Sequence, residues 1–251
     1  MINKSPLIDL ASNICAHGFF QKKNEHGKSQ NAAFIASEDF DEVSQRRALM
    51  VERIGLKPGP VMSMKQIHSN KVVIVEKNWE HGEGPQADGF VTKTPGIVLG
   101  ILTADCGPLL FVDPEAQVIG ACHAGWPGAF SGIVENTIIA MEELGATREA
   151  ILAALGPTIQ QQSYEVGPEF PLKALKTPDV YSEFFIPSIT AGHHMFDLPA
   201  FLRKRLIASK IRQFQDLNLN TYTGPFFSRR RCVAEKQDYD KKSNLSAIAL
   251  L

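Results

Sequence analysis

The sequence predicts an α+β fold with mixed or antiparallel sheets. Short apolar, β-branched runs come in hairpin pairs rather than in strict strand–helix–strand alternation. Segments with helical spacing stand between them, each closed by its own stop signal. No repeat, low-complexity tract or Ser/Gly-rich linker divides the 251 residues, so a single domain over 1–251 is expected.

Each element has a local reason. Residues Asp41 to Ile54 place Val43, Arg47, Met50, Val51 and Ile54 on one helical face, and the run stops before Gly55. Val61 to Met64 and Val72 to Glu76 read as strands, followed by a Gly-rich loop from Trp79 to Gln86. Ile97 to Thr103 is apolar and β-branched enough for a buried strand. Pro108 to Val112 and Gln117 to Cys122 form a hairpin around Asp113-Pro114-Glu115-Ala116, whose residues carry turn chemistry. Gly128 to Leu144 reads as one amphipathic helix stopped by Gly145. Ile151 to Leu155 is a short strand. Asp197 caps a helix with Leu198, Phe201, Leu202 and Leu206 on one face, and Pro199 falls in its tolerant first turn. Leu245 to Leu251 is a final strand, and Phe20 to Gln30 an exposed polar loop.

Composition narrows the function. Hydrophobic residues make up 44% and charged residues 21%, which excludes whole-chain disorder. Net charge is -1, so nothing drives the chain toward nucleic acid or an anionic membrane. No apolar run is long enough to span a bilayer, and the first twenty residues lack a signal-peptide pattern. The cytoplasm is therefore the expected compartment. The sequence does not fix an oligomeric state. The clusters Arg203-Lys204-Arg205 and Arg229-Arg230-Arg231 read as a solvated helix face and as a mixture of structural pairing and anion binding.

Four cysteines, at 15, 106, 122 and 232, form no C-x-x-C pair, so neither a zinc knuckle nor a disulfide framework is expected. With a four-residue hairpin loop over 113–116, Cys106 falls opposite His123. Cross-strand Cβ atoms lie ~4.5–5.5 Å apart, so thiol and imidazole could share a metal or a proton. Glycines beside both allow a ligand close approach. An inert core cysteine is the competing reading, because free cysteine is among the most buried residue types. Cys122 alternates with His123 along the strand and reads as core.

The ordered motifs then reach a known family. They are His17-Gly18-Phe19-Phe20, Gln66-Ile67-His68, Ala87-Asp88-Gly89, Thr103-Ala104-Asp105-Cys106, His123-Ala124-Gly125-Trp126, Leu155-Gly156-Pro157, Tyr164-Glu165-Val166-Gly167, Phe196-Asp197-Leu198 and Phe226-Phe227-Ser228. In these the chain resembles the YfiH-type bacterial family of purine nucleoside phosphorylase and adenosine deaminase proteins, long labelled laccase-like polyphenol oxidases. The resemblance implies a layered α/β/β/α fold. It implies a metal site of His68, Cys106 and His123, usually zinc, with copper as the alternative. Three such ligands leave a fourth position open, as catalytic zinc requires.

The implied chemistry is phosphorolysis of adenosine, inosine, guanosine and methylthioadenosine, and deamination of adenosine. The substrates are then purine nucleosides and phosphate. Asp105 is the nearby carboxylate for proton transfer, or else a structural cap. Trp126 is a candidate for stacking a purine. Arg230 and Arg231 match the family's paired arginines and are candidates for binding the substrate's anion.

Three departures bear on phosphate. Pro127 stands where the family usually has arginine. Lys22 to Ser29 replaces an arginine- and glycine-containing stretch. Asp240-Lys241 stands where the family has Gly-Arg. A member with weak or no phosphorolysis is one consequence. A Cys–His hydrolase or amidase acting on peptidoglycan precursors is the alternative enzyme class. Seven histidines with no His-x-His pair do not supply a full laccase centre.

Overall fold

Two sheets stack face to face, with helices on both outer faces. The computed structural model describes the chain except residues 36–37, 58, 80–81, 171–181 and 238–240. One sheet has five strands in the order β1 (Ile2–Asn3), β2 (Cys15–Phe20), β14 (Asn244–Leu250), β6 (Val98–Thr103), β3 (Val61–Met62). The other has six, in the order β13 (Gln213–Asp216), β9 (Leu152–Leu155), β7 (Gly107–Asp113), β8 (Val118–Ala124), β5 (Gly89–Thr92), β4 (Val72–Ile74). Both are mixed: β3 with β6, β4 with β5 and β13 with β9 pair parallel, and the other neighbours antiparallel. A small sheet, β10 (Glu165–Val166), β12 (His194–Phe196), β11 (Phe185–Pro187), lies apart.

The α/β/β/α layering follows from period-two alternation in strands that are apolar on both faces. Leu110, Val112 and Ile119 meet Leu99, Ile101 and Ile248 between the sheets. Their neighbours Leu109, Phe111, Val118 and Cys122 point outward against α4 (Ile133–Glu143) and α5 (Leu198–Ala208). On the far side, Met50, Val51 and Ile54 of α2 (Phe40–Glu52) and its C-terminal turn cover Val98, Ala247 and Ala249. Arg47 joins that buried face, as its spacing predicts, donating to the Ala32 carbonyl at 2.7 Å and the Ser63 hydroxyl at 3.0 Å. Asp197 caps α5 by accepting the Ala200 N–H at 2.8 Å. Strand β14 has every residue buried and lies between β2 and β6.

Three details differ from the sequence reading. The β7–β8 loop is Pro114 to Gln117, so Asp113 pairs with Val118 and His123 lies opposite Pro108, not Cys106. The Asp113 carboxylate accepts the N–H groups of Glu115 and Ala116, each at 2.9 Å, and Gln117 takes φ +53°. This register preserves the face of every side chain, so Cys106 remains on the side of His123. Second, the helix expected over 128–144 is two helices, α3 (Trp126–Ser131) and α4, because Gly132 takes φ +98° and ends the first. Third, the loop expected over 20–30 is not exposed at its ends: Phe20 closes the buried strand β2, and Gln30 is buried.

His17 in β2 is buried, and its Nε2 accepts the Ser5 N–H at 2.8 Å. Burial pushes the imidazole down from the ordinary 6.5 to about 4, against the weaker upward pull of Asp9. Between those values the unfolded chain binds the extra proton, so stability is lost as pH falls. The loss from this residue is about 2 kcal/mol at pH 5. Urea unfolding at pH 7.5 and pH 5.0 checks this. Wild type should lose more stability over the interval than His17→Gln, and equal losses would remove His17 as the cause.

Candidate metal centre and cleft

The site begins with a carboxylate. Asp88, which precedes β5, is fully buried. Its Oδ1 accepts the His68 N–H at 3.0 Å and faces His123 Nδ1 at 2.8 Å. Its Oδ2 accepts the N–H groups of Ile67 (3.2 Å) and Ser69 (2.6 Å) and the Ser69 hydroxyl (2.8 Å). Its backbone carbonyl accepts the His123 N–H at 2.7 Å. Burial alone would raise this carboxyl. The bonds from His123 and Ser69 outweigh it and hold the group down to about 2. A full negative charge thus sits behind the site.

That charge orients two histidines. The 67–69 turn wraps the carboxylate, which holds His68 at φ +60°. His123 has Nδ1 committed to Asp88, which leaves Nε2 for the cleft side. The donor atoms of His68, Cys106 and His123 all lie within 4.8 Å of one another. Cys106 Sγ is 3.7 Å from His68 Nε2. Burial opposes charge on the thiol, but the facing imidazoles, His123 first, draw its pKa down. Burial likewise opposes the His123 cation, and the Cys106 and Asp88 charges draw its pKa up. Cys122, one residue earlier, meets no such partner, and burial pushes it up to about 12.

Two imidazoles and a thiolate fit a soft or borderline divalent metal such as zinc or copper. The Asp88–His123 pair is the carboxylate–histidine arrangement that fixes a ligand's tautomer. The surrounding loop leaves room only for glycine. A Cβ on Gly125 would sit 2.5 Å from His68 Cδ2 and 3.0 Å from Cys106 Sγ. One on Gly128 would meet the Ser69 carbonyl at 2.7 Å.

The donors open onto a cleft of about 1110 Å³. Trp126, Tyr164 and Phe170 line it, with Trp126 and Phe170 ring centroids 4.8 Å apart. Asp105 lies beside Cys106 at φ +96°. Its carboxylate accepts the Thr221 hydroxyl at 2.6 Å and the Arg230 N–H at 2.7 Å. Its carbonyl accepts the Ile159 N–H at 2.9 Å and the Thr158 hydroxyl at 2.8 Å. Asp105 therefore ties the Cys106 loop to the segment that opens α6 (Arg229–Ala234).

Arg230 lines the cleft, donating to the Glu165 carbonyl at 2.7 Å with its guanidinium 5.6 Å over the Tyr164 ring. Arg231 does not line it. Its guanidinium donates to the carbonyls of Tyr222 (2.8 Å), Gly224 (3.1 Å) and Phe226. The Arg203-Lys204-Arg205 cluster is paired with Asp216, Glu183 and Glu135. Pro127 lies in the first turn of α3. Lys241 lines the cleft, and its neighbour Asp240 lies outside the described residues. Sequence reading gave no role to Asp88, although an acidic residue directly before a buried Gly-led strand is a signal that could have found it.

A profile of the family described as multi-copper polyphenol oxidoreductase laccase matches residues 16–239. The chain is 42% identical over 211 residues to a purine nucleoside phosphorylase of Corynebacterium glutamicum, covering 84% of this chain and 79% of that one. It is 29% identical over 213 residues to an adenosine deaminase from an unknown prokaryotic organism, covering 80% and 81%. Its fold matches a Neisseria meningitidis protein of the DUF152 group with a TM-score of 0.76 at 27% identity, over 94% of each chain.

Asp88→Asn should weaken zinc binding by about 10–100-fold, as loss of a partner to a ligating histidine does. Competition against a chromophoric chelator measures it. Unchanged affinity in a folded variant would show that Asp88 does not serve the donors.

Proposed function

The chain belongs to the laccase-domain family of the YfiH/DUF152 type, and from that premise we propose that it is a metal-dependent enzyme of purine nucleosides. The observation that carries this is the placement of two imidazoles and a thiolate at the floor of a cleft walled by aromatic rings and arginines. When bound there, a zinc ion supplies a Lewis acid that activates water near neutral pH. Copper is the alternative metal. The family's name implies several coppers, whereas the described residues bring together one donor group of three.

The protein's own groups divide the remaining work. Trp126, Tyr164 and Phe170 offer flat apolar surface for the purine ring. Asp88 keeps His123 in one tautomer. Asp105 holds the Cys106 loop and Arg230 at a fixed spacing, because both its oxygens already accept hydrogen bonds. Arg230, braced by Glu165 and Tyr164, faces the substrate's anion. In deamination, water adds at the purine C6 and ammonia leaves, giving inosine. In phosphorolysis, a phosphate oxygen bonds to ribose C1′ as the C1′–N9 bond breaks. The electron pair leaves with the purine, and the proton of hydrogen phosphate balances the one the base gains. The relatives named purine nucleoside phosphorylase and adenosine deaminase support both branches. The four unpaired cysteines suit the reducing cytoplasm.

A second reading has its own observation. Cys106, His123 and Asp88 stand in the order of nucleophile, base and orienting acid, which suits a hydrolase or amidase of the peptidoglycan-editing kind.

Chromatography of adenosine incubated with metal-quantified protein, with and without phosphate, separates these. Inosine, or phosphate-dependent adenine, is expected, and Cys106→Ala should lower either by at least 100-fold. No turnover of adenosine, inosine or guanosine in either buffer, with stoichiometric zinc bound, would overturn the nucleoside reading. Activity only in metal-free protein, abolished by thiol alkylation, would favour the hydrolase.

A further inference from the structure

Strand β4 is an open edge of the six-stranded sheet. It pairs parallel with β5 through Val72 and Gly89, Val73 and Phe90, and Ile74 and Val91. The Lys71 carbonyl accepts the Gly89 N–H at 3.0 Å, and the Val75 N–H donates to the Val91 carbonyl at 2.8 Å. Residues 71, 73 and 75 therefore turn their peptide groups toward β5, and Val72 and Ile74 turn theirs outward. No partner meets those outward groups among the described residues. The other sheet edges are blunted, as edges usually are. Strands β1 and β10 have two residues each. Strand β3 has two and follows Pro60. Strand β11 ends on Pro187, and β13 carries Gln213, Gln215 and Asp216. Residues 72–75 are instead Val-Val-Ile-Val, with no charge and no proline. Ile74 is 37% exposed, and it lines a groove of about 690 Å³ with Ile139 of α4, which is 45% exposed.

We propose that β4 docks on β4 of a second copy of this chain, antiparallel, about a two-fold axis at Val73. The register makes this edge its own complement. Val72 of each copy lies opposite Ile74 of the other, and the outward groups of these residues exchange four hydrogen bonds. Val72 packs toward the α4 side of the sheet, and Ile74 shares its face. Ile74 of each copy thus packs beside Val72 of the other, and the two Ile139 side chains cover the seam. The same axis matches charge. Exposed Glu76 falls opposite Asn70 of the other copy and one residue from its exposed Lys71, so opposite charges meet at both ends of the seam. Lys77 falls farther out, opposite Ser69. Pairing stops at Asn70, whose carbonyl already accepts the Asn136 side chain at 2.7 Å. None of these residues lines the cleft, so the contact stands whether or not nucleosides are the substrates.

Sedimentation velocity on the full chain over a range of concentrations tests this. Wild type should pass from one chain to two as concentration rises. Ile74→Lys sets a charge on the seam and should raise the dimer Kd by about tenfold or more. Ile74→Pro should do the same, because it removes an outward N–H and leaves the β4–β5 bonds in place. Ile207→Lys makes the same change on α5, at a residue 62% exposed, and should associate as wild type does. Val73→Cys reads the register directly. Residue 73 faces its own copy across the axis with a Cα separation of ~4.5 Å, within disulfide reach. Diamide, which takes up two hydrogens as two thiols become one disulfide, should link this variant into a covalent pair and leave wild type unlinked. A wild type that stays single at every concentration overturns the inference and leaves the edge to an extended segment of another protein. So does association that survives both Ile74 variants, that Ile207→Lys also abolishes, or that yields no Val73→Cys cross-link.

Discussion

A buried, unprotonated Asp88 is the constraint on which the site depends. An isolated carboxylate in a protein interior is costly and becomes tolerable only when its lone pairs are occupied. Here three consecutive backbone N–H groups, a hydroxyl and an imidazole occupy them. The turn that delivers those N–H groups is the one that carries His68. The imidazole belongs to His123. One charge therefore brings together the His68 and His123 segments, distant in sequence, and its hydrogen bonds offset a positive φ at His68, which a non-glycine residue adopts at some expense. Gly125 and Gly128 allow the following loop to pack down over the result.

The cleft shows a division of labour along the chain. Residues 68 to 126 supply donors and one aromatic wall. Tyr164, Phe170, His193, Arg229, Arg230 and Lys241 supply further lining with its cations. Asp105 joins them, since its backbone belongs to the first set and its carboxylate is bonded to the second.

Much of this was legible in residue order, and the exceptions have physical causes. Strand identity in β6, β7 and β8 followed from apolar, β-branched runs. The hairpin register did not, because Asp113 carries turn chemistry yet pairs with Val118 and bonds the turn from inside the strand. The face of Cys106 was nonetheless readable, since the shift in register preserved parity. The break at Gly132 was hidden by an apolar stripe that continues through it. Which of two adjacent arginines reaches the cleft was likewise not readable from sequence alone, because it depends on where the 221–226 carbonyls lie. The position of Asp88 before a Gly-led strand was readable, but its partners were not, for a similar reason. Its partners come from 67–69 and 123, and no local periodicity records such a meeting. His68 entered through family resemblance alone.

The position of β14 has a kinetic side. It lies in the middle of its sheet, between β2 and β6, and its inward residues meet the strands that carry the donors. Neither the sheet nor the core between the sheets can close until residue 250 has been made. At ~5–20 residues per second, that is on the order of ten seconds after His123 leaves the peptidyl-transfer site. Throughout that interval a thiol and two imidazoles are present on a nascent chain with no fixed spacing between them. Selection of a metal by geometry would therefore be available only to the finished fold, and an ion captured earlier would bind by affinity alone.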